Sequence, residues 1–248
     1  MAAVLALPAS ASAVGTVSGN VTDTASTALE GICVEVRDDL GGPALASTET
    51  AANGDYTVPD VPAGSHKVQF HDCNGGDYVQ EFFNDKTDFA QADPVNVADG
   101  QDTPDIDAAL QPAGHISGHV EDASTSTSIE GICVSASTDP SGFGPPAGNA
   151  QTDASGNYDM GGLPAGSYKV TFVDCPQPPA DTGGDYVQQW FDGKSSAALA
   201  DSVNVTVNNT TTGVDASLQP AGHITGNVQD DVTHADLEGI CVQAVDAA

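Results

Sequence analysis

The sequence predicts an all-β chain of tandem antiparallel Greek-key β-sandwiches with a prealbumin-like arrangement, about seven strands in each. Three observations predict the sandwich. Short runs alternate apolar and polar residues, the period of a strand with one face buried. Turn signals such as Asn53-Gly54, Ser155-Gly156, Pro62-Ala63-Gly64 and Pro164-Ala165-Gly166 separate the runs. The whole pattern is written more than once along the 248 residues, so one small unit is used repeatedly.

Residues 1–13, MAAVLALPASASA, are apolar and close on Ala11-Ser12-Ala13. That resembles the end of a secretory signal, with an apolar core and a small-residue cleavage site. No Lys or Arg precedes Arg37, so the basic start of such a signal is missing and a fragment or an upstream start is expected. These residues are set outside the fold.

The repeats follow in order. GTVSGNV at 15 recurs as GHISGHV at 114 and GHITGNV at 222; EGICVEV at 30 recurs as EGICVSA at 130 and EGICVQA at 238. Next come NGDYTVPDVPAGSHKVQFHDC at 53 and SGNYDMGGLPAGSYKVTFVDC at 155, identical at 11 of 21 positions without a gap. DYVQEFFNDK at 77 pairs with DYVQQWFDGK at 185, and each copy closes on DPVNV and DIDAALQPAG or on DSVNV and GVDASLQPAG. The spacing gives a first repeat over 14–112, a second over 113–220 and a truncated third over 221–248. A unit near 100 residues suits an independent domain better than a solenoid turn.

Strands read from the alternation. Val17 with Val21, Ile32 with Val34 and Val36, Val68 with Phe70, and Ile106 with Ala108 and Leu110 point inward in the first copy. Ile116 with Val120, Val170 with Phe172, and Val203 with Val205 and Val207 do so in the second. At most one helical turn is expected, at 78–83 or 186–191. Pro112 and Pro220 restrict the short joints between copies, which predicts a semi-rigid string of beads.

Parity places the cysteines. Cys33 falls between Ile32 and Val34 and so lies on the polar face with Glu35; Cys73 shares parity with Gln69 and His71, opposite Val68 and Phe70. Cys133 and Cys175 repeat the pattern. Disulfides Cys33–Cys73 and Cys133–Cys175 are therefore expected between neighbouring strands, with Cys241 unpaired. Each would contribute about 4 kcal/mol on the chain-entropy model and implies an oxidising compartment. A metal site is disfavoured because no Cys-x-x-Cys occurs.

Five basic against 35 acidic residues give a net charge of −30. That repels phosphate backbones and excludes nucleic acid as a partner. No apolar run is long enough to span a membrane. The charge reads as solubility outside the cell or in salty surroundings; the sharper alternative is Ca²⁺ held by clustered Asp, with Asp153 and Asp159 as candidates beside a turn. An Asx-turn role for them is preferred, and no cofactor is expected.

No nucleophile elbow, phosphate-binding glycine loop, HExxH or EF-hand loop is present. His115 and His119 correspond to Thr16 and Asn20 in the first copy, and His66 and His71 to Tyr168 and Val173 in the second. Histidines that change between copies read as exposed strand surface. The aromatic cluster Tyr78, Phe82 and Phe83, matched by Tyr186, Trp190 and Phe191, has two readings. Tyr78, Phe82, Tyr186 and Trp190 could stack on sugar rings, or the cluster could plug one end of each sandwich with Trp190 Nε1 reaching a partner. The plug is preferred.

The run from Thr152 to Tyr158, then Gly162-Leu163-Pro164-Ala165-Gly166-Ser167-Tyr168-Lys169-Val170, resembles the carboxypeptidase regulatory-like domain, as does its twin at 54–68. The resemblance covers nearly all of 14–220. It implies a prealbumin-like, transthyretin-like sandwich, similar in fold to starch-binding-like domains and to stalk repeats of bacterial surface proteins. The cysteine pair and the DYVQxxF segment resemble a subset of secreted tandem-repeat bacterial proteins. The family brings no catalytic residues, so no enzymatic activity is expected, and an amylase or carboxypeptidase label would come from fold analogy or a neighbouring domain. The leading expectation is a secreted or cell-surface spacer or adhesion module with a cell-surface protein or polysaccharide as partner. The alternative is a carbohydrate-binding, starch-directed accessory module of an extracellular glycoside hydrolase such as an alpha-amylase.

Overall fold

A computed structural model describes residues 14–142, 144–175 and 185–243. The signal-like segment 1–13 and the last residues of the third copy lie outside the described residues. The first repeat holds β1 (Val14–Asp23), β2 (Ile32–Asp38), β3 (Ala44–Glu49), β4 (Asp55–Pro62), β5 (Gly64–Asp72), β6 (Glu81–Phe82), β7 (Val95–Val97), β8 (Asp102–Thr103) and β9 (Ala108–Leu110). The second holds β10 (Gly114–Asp122), β11 (Ile132–Ser137), β12 (Gly148–Gln151), β13 (Asn157–Leu163), β14 (Gly166–Asp174), β15 (Gln189–Trp190), β16 (Val203–Val205), β17 (Thr210–Thr211) and β18 (Ala216–Leu218).

Each repeat is a sandwich of two sheets. In the first, β3-β2-β5 with β6 and β7 along β5 faces β4-β1 with β8 and β9 along β1; in the second, β12-β11-β14 with β15 and β16 faces β13-β10 with β17 and β18. The ladders are antiparallel except where the chain returns to β1 or β10, which β8, β9, β17 and β18 join in parallel. A glycine makes that return possible. A Cβ at Gly19 would stand 2.3 Å from Ile106 O, and one at Gly118 2.2 Å from Val214 O, so the second glycine of GTVSG and GHISG lets the crossing chain touch the strand.

The two inner faces form a separate core in each repeat. Ile32, Val34 and Val36 of β2 meet Val17, Val21, Tyr56 and Val58 from the opposite sheet, with Val68 and Phe70 beside them. Tyr56 stands edge-on to Phe70 at 6.0 Å, and Tyr158 to Phe172 at 6.1 Å. Tyr158 Oη donates to Val214 O at 2.6 Å, and Tyr56 Oη to the equivalent Ile106 O, so each buried ring has its polar tip satisfied.

Three local expectations are revised. Val207 is 41% exposed, because β16 ends at Val205 and the chain turns. The segments 78–83 and 186–191 are extended rather than helical; among the described residues the helix is a single 3₁₀ turn, Phe89–Gln91, whose N-cap Asp88 accepts from Ala90 N–H. His66 is not exposed strand surface: it is buried and its Nε2 lies 2.7 Å from Pro62 O. Its counterpart Tyr168 makes the same bond, Oη to Pro164 O at 2.6 Å, so two different side chains close one turn in the same way.

The third copy behaves differently. Its described residues 222–243 contain no strand, and Ile224, Val232 and Val242 are 84%, 85% and 75% exposed, whereas Ile116 and Val120 of the equivalent β10 are fully buried. Only the local turn survives. Asp230 accepts from Val232 and Thr233 N–H, as Asp122 does from Ser124 and Thr125. A turn needs only its own residues, while a strand needs neighbours across the sheet.

Candidate functional site

The paired cysteines lie on the outer face of β2–β5 and β11–β14. Cys33 stands across from Glu49 of β3 and His71 of β5, and Cys73 follows two residues after His71 on the same face. Cys33 is bonded to Cys73 and Cys133 to Cys175, each with Cα atoms 5.7 Å apart. Cys241 is free and exposed.

The aromatic segments begin at the joint and run back along β5 and β14. Tyr78 bridges to Pro112 and Tyr186 to Pro220. Phe82 and Trp190 are 4% and 8% exposed. Phe82 meets Phe89 edge-on at 5.7 Å; Trp190 packs with Ala197 and Ala200, under Gly142, where a Cβ would stand 2.3 Å from the indole. Each ring edges a surface cleft, Phe82 beside Arg37 and Gln69 and Trp190 beside Gln188 and Ser195, but with so little of either exposed, neither presents a flat face for stacking. Tyr186 Oη donates to Asp122 Oδ2 at 3.2 Å. Burial raises the Tyr186 phenol, helped by Asp122; burial and nearby Asp23, Asp77 and Asp72 raise that of Tyr78. Of the four candidate stacking residues, Tyr78 and Tyr186 pack against the sandwich cores and bridge to the joint prolines, whereas Phe82 and Trp190 pack outside those cores, against Phe89 and against Ala197 and Ala200.

The joint is bonded on both sides. Val79 N–H donates to Gln111 O at 2.8 Å and Ala113 N–H to Asp77 O at 2.7 Å, tying it to the first repeat. Asn208 N–H donates to Ala113 O at 2.7 Å and His115 N–H to Asn209 O at 2.9 Å, tying it to the second. Ala113 is 2% exposed. The first half recurs at the next joint, where Val187 N–H reaches Gln219 O at 2.9 Å and Ala221 N–H reaches Asp185 O at 2.7 Å.

Contacts also cross directly between the repeats. Gly162 N–H donates to Gly76 O at 2.5 Å. His115 places Nε2 3.3 Å from an Asp77 carboxylate oxygen and Nδ1 3.1 Å from Asp159 Oδ2, so one imidazole spans a carboxylate of each repeat. His115 is therefore a half-buried joint residue, not free strand surface, and Asp159 is occupied by it. Asp153 is occupied as well: Ser155 and Asn157 N–H donate to its Oδ1 at 2.8 and 2.9 Å, the preferred Asx turn. His119 Nε2 lies 2.9 Å from Ser128 Oγ.

Two clefts of 460 and 660 Å³ occupy equivalent places beside β9 and β18. Asp85, Asp105 and Asp107 line the first; His119, Asp192 and Asp215 line the second. Near the first cleft stands Glu81, 8% exposed, with Oε1 buried and unpartnered. Burial, and then the charge of Asp85, push its carboxyl up to about 7. The second repeat has Gln189 there. Sequence reading missed Glu81, because its parity in an irregular segment was not legible. It also missed Thr50 and Thr152. Thr152 Oγ1 donates to Ile129 O at 2.7 Å and accepts from Ile132 N–H at 2.9 Å; Thr50 does the same with Leu29 and Ile32. The recurrence of Thr at equivalent positions was the available signal.

A family model for the carboxypeptidase regulatory-like domain matches residues 16–111 and 115–219. No curated protein matches the chain. Among solved structures, the TIE protein of Bacillus anthracis is similar at 14% identity and TM-score 0.31, over 84% of this chain and 34% of its own. A Streptococcal ancillary pilin aligns at 16% identity and TM-score 0.35, over 85% of this chain and 63% of its own. The minor pilin GBS52 of Streptococcus agalactiae aligns at 12% identity and TM-score 0.31, over 87% of this chain and 100% of its own. The chain spans about a third of the TIE protein and under two thirds of the ancillary pilin.

Proposed function

The chain belongs to the carboxypeptidase regulatory-like domain family, and from that premise we propose that it is a non-catalytic secreted or cell-surface module that holds other parts of a surface assembly at a set spacing. The observation that carries the reading is the joint. A spacer must keep successive domains in one relation, and Ala113 is hydrogen-bonded through N–H to one repeat and through C=O to the next. Its C=O contact with Asn208 and the His115 span make the repeats one stiff unit rather than beads on a loose thread.

Two further observations support it. The disulfides Cys33–Cys73 and Cys133–Cys175 fit an oxidising, extracellular setting. The burial of Phe82 and Trp190 weighs against a stacking platform, so the proposed partner is a surface protein rather than starch. Small-angle scattering tests the reading. The full chain should scatter as an extended particle of fixed shape, and a Gly-Gly-Ser insertion between Pro112 and Ala113 should broaden its distance distribution. An unaltered profile after the insertion would mean that the joint was never rigid.

A further inference from the structure

We propose that the first repeat, once its disulfide is opened, carries a site for one borderline-soft divalent cation of the zinc class, formed by Cys33, Cys73, Glu49 and His71. Both Sγ atoms and a Glu49 carboxylate oxygen lie within 4.8 Å of one another. A tetrahedral ion with metal–sulfur bonds of about 2.3 Å separates its ligand atoms by about 3.8 Å, so these three groups need to move only on the scale of an ångström. The fourth ligand is His71. It stands directly across the ladder from Cys33 on the same face, where facing Cβ atoms are about 5 Å apart. Its ring nitrogens stand outside the group that Cys33, Cys73 and Glu49 form, so His71 reaches the ion by turning its side chain, and its Nδ1, buried without a hydrogen-bond partner, loses no bond when it does.

The ligands sit on three adjacent strands, β3, β2 and β5, which is a rigid frame for a site. Glu49 and Cys73 are exposed, giving the ion an entry path. Two thiolates, an imidazole and a carboxylate select zinc-class ions over calcium or magnesium. The second repeat supplies an internal comparison. Its disulfide is in the same place, but Cys133 faces Gln151 and Val173 where Cys33 faces Glu49 and His71. Two of four ligands are gone, so the site belongs to the first repeat alone.

The step balances simply. The Cys33–Cys73 bond takes up two electrons and two protons, either from a dithiol that closes its own disulfide or, as in the test below, from a phosphine and water, the phosphine leaving as its oxide. The ion then displaces the two thiol protons to solvent and joins β2 to β5 where the covalent bridge stood.

The test uses the full chain with Cys241→Ser, reduced by a phosphine and titrated with Co²⁺. One equivalent should bind with the intense visible bands of tetrahedral thiolate coordination. Glu49→Gln with His71→Val, the residues of the second repeat, should weaken binding by about tenfold or more, while Cys133→Ser with Cys175→Ser should leave it unchanged. Near-UV circular dichroism follows the fold: if reduction unfolds the first repeat, Co²⁺ must restore its native signal. No uptake, uptake of two equivalents, uptake without the native signal, or indifference to the Glu49 and His71 changes would each overturn the proposal.

Discussion

Glu81→Gln is expected to stabilise the first repeat above pH 7 and to leave it nearly unchanged at pH 4.5. Glu81 is buried with an unpartnered Oε1, and its carboxyl is raised from 4.5 to about 7. A folded-state value above the unfolded one means that the folded repeat favours the neutral acid. Stability is thus fully present below about 4.5 and is lost as the pH rises through about 7. At 1.36 kcal/mol per pH unit the full loss is about 3 kcal/mol, and solvent reaching the nearby cleft reduces it to roughly 1–3 kcal/mol. For a domain near 100 residues each kcal/mol moves the midpoint by roughly 4–8 °C. Gln keeps the shape and hydrogen-bonding capacity without the charge, and the second repeat already carries it at Gln189. Burial pushes the Asp72 carboxyl up, but four backbone N–H groups outweigh it and hold it below its ordinary value, and the Thr16 and Ser18 hydroxyls do the same for Asp102. Their stabilisation is lost only in stronger acid, outside this window. The assay is thermal unfolding at pH 4.5 and 8. Trp190, the sole tryptophan, reports the second repeat, and far-UV circular dichroism adds the first. A wild-type first repeat equally stable at both pH values, or a Gln variant shifted equally at both, would refute the reasoning.

Cys33→Ser with Cys73→Ser should lower the stability of the first repeat by about 4 kcal/mol and leave the Trp190 transition in place; a thiol count on the denatured, unreduced wild type should find one free thiol. Thr152→Val should cost roughly 1–3 kcal/mol by stranding Ile132 N–H and Ile129 O, read from the Trp190 midpoint; no shift would mean that water replaces the hydroxyl freely. Limited proteolysis should cut within 222–243 before either sandwich, and equal resistance across all three copies would contradict the account of the third.

The fold was legible because each sandwich is built from local signals that agree. Ile32, Val34 and Val36 alternate, Gly54 and Gly156 mark turns at φ +79° and +74°, and the same order recurs 100 residues on. Cysteine parity was enough to place the bridges, since side chains on one strand face are fixed by the pleat. Three things were not legible. The parallel return of β9 to β1 depends on Gly19 leaving room for Ile106 O, a contact 87 residues apart in sequence that no local pattern encodes. The 78–83 segment carries no period, because its N–H groups go to three different places: Val79 to Gln111 in the joint, Phe82 to the turn at Lys86, and Phe83 to Val68 of β5, with only the two residues of β6 in a ladder. Glu81 and His115 are polar residues whose burial arises from elements distant in the chain, β5 and the 109 region for Glu81 and residues 77 and 159 for His115, so their own neighbourhoods read as surface.

The stiffness of the joint is the centre of the account, and a spin-label distance measurement tests it most directly. Labels placed on the outer faces of β3 and β12 should give a single narrow distance distribution in the wild type. Gly161→Val should broaden it without changing either unfolding midpoint, because a side chain there would meet His115 Cε1 at 2.7 Å and Gly76 O at 2.9 Å and force the repeats apart. A broad distribution in the wild type, or a narrow one that Gly161→Val leaves untouched, would contradict a fixed joint between the two sandwiches.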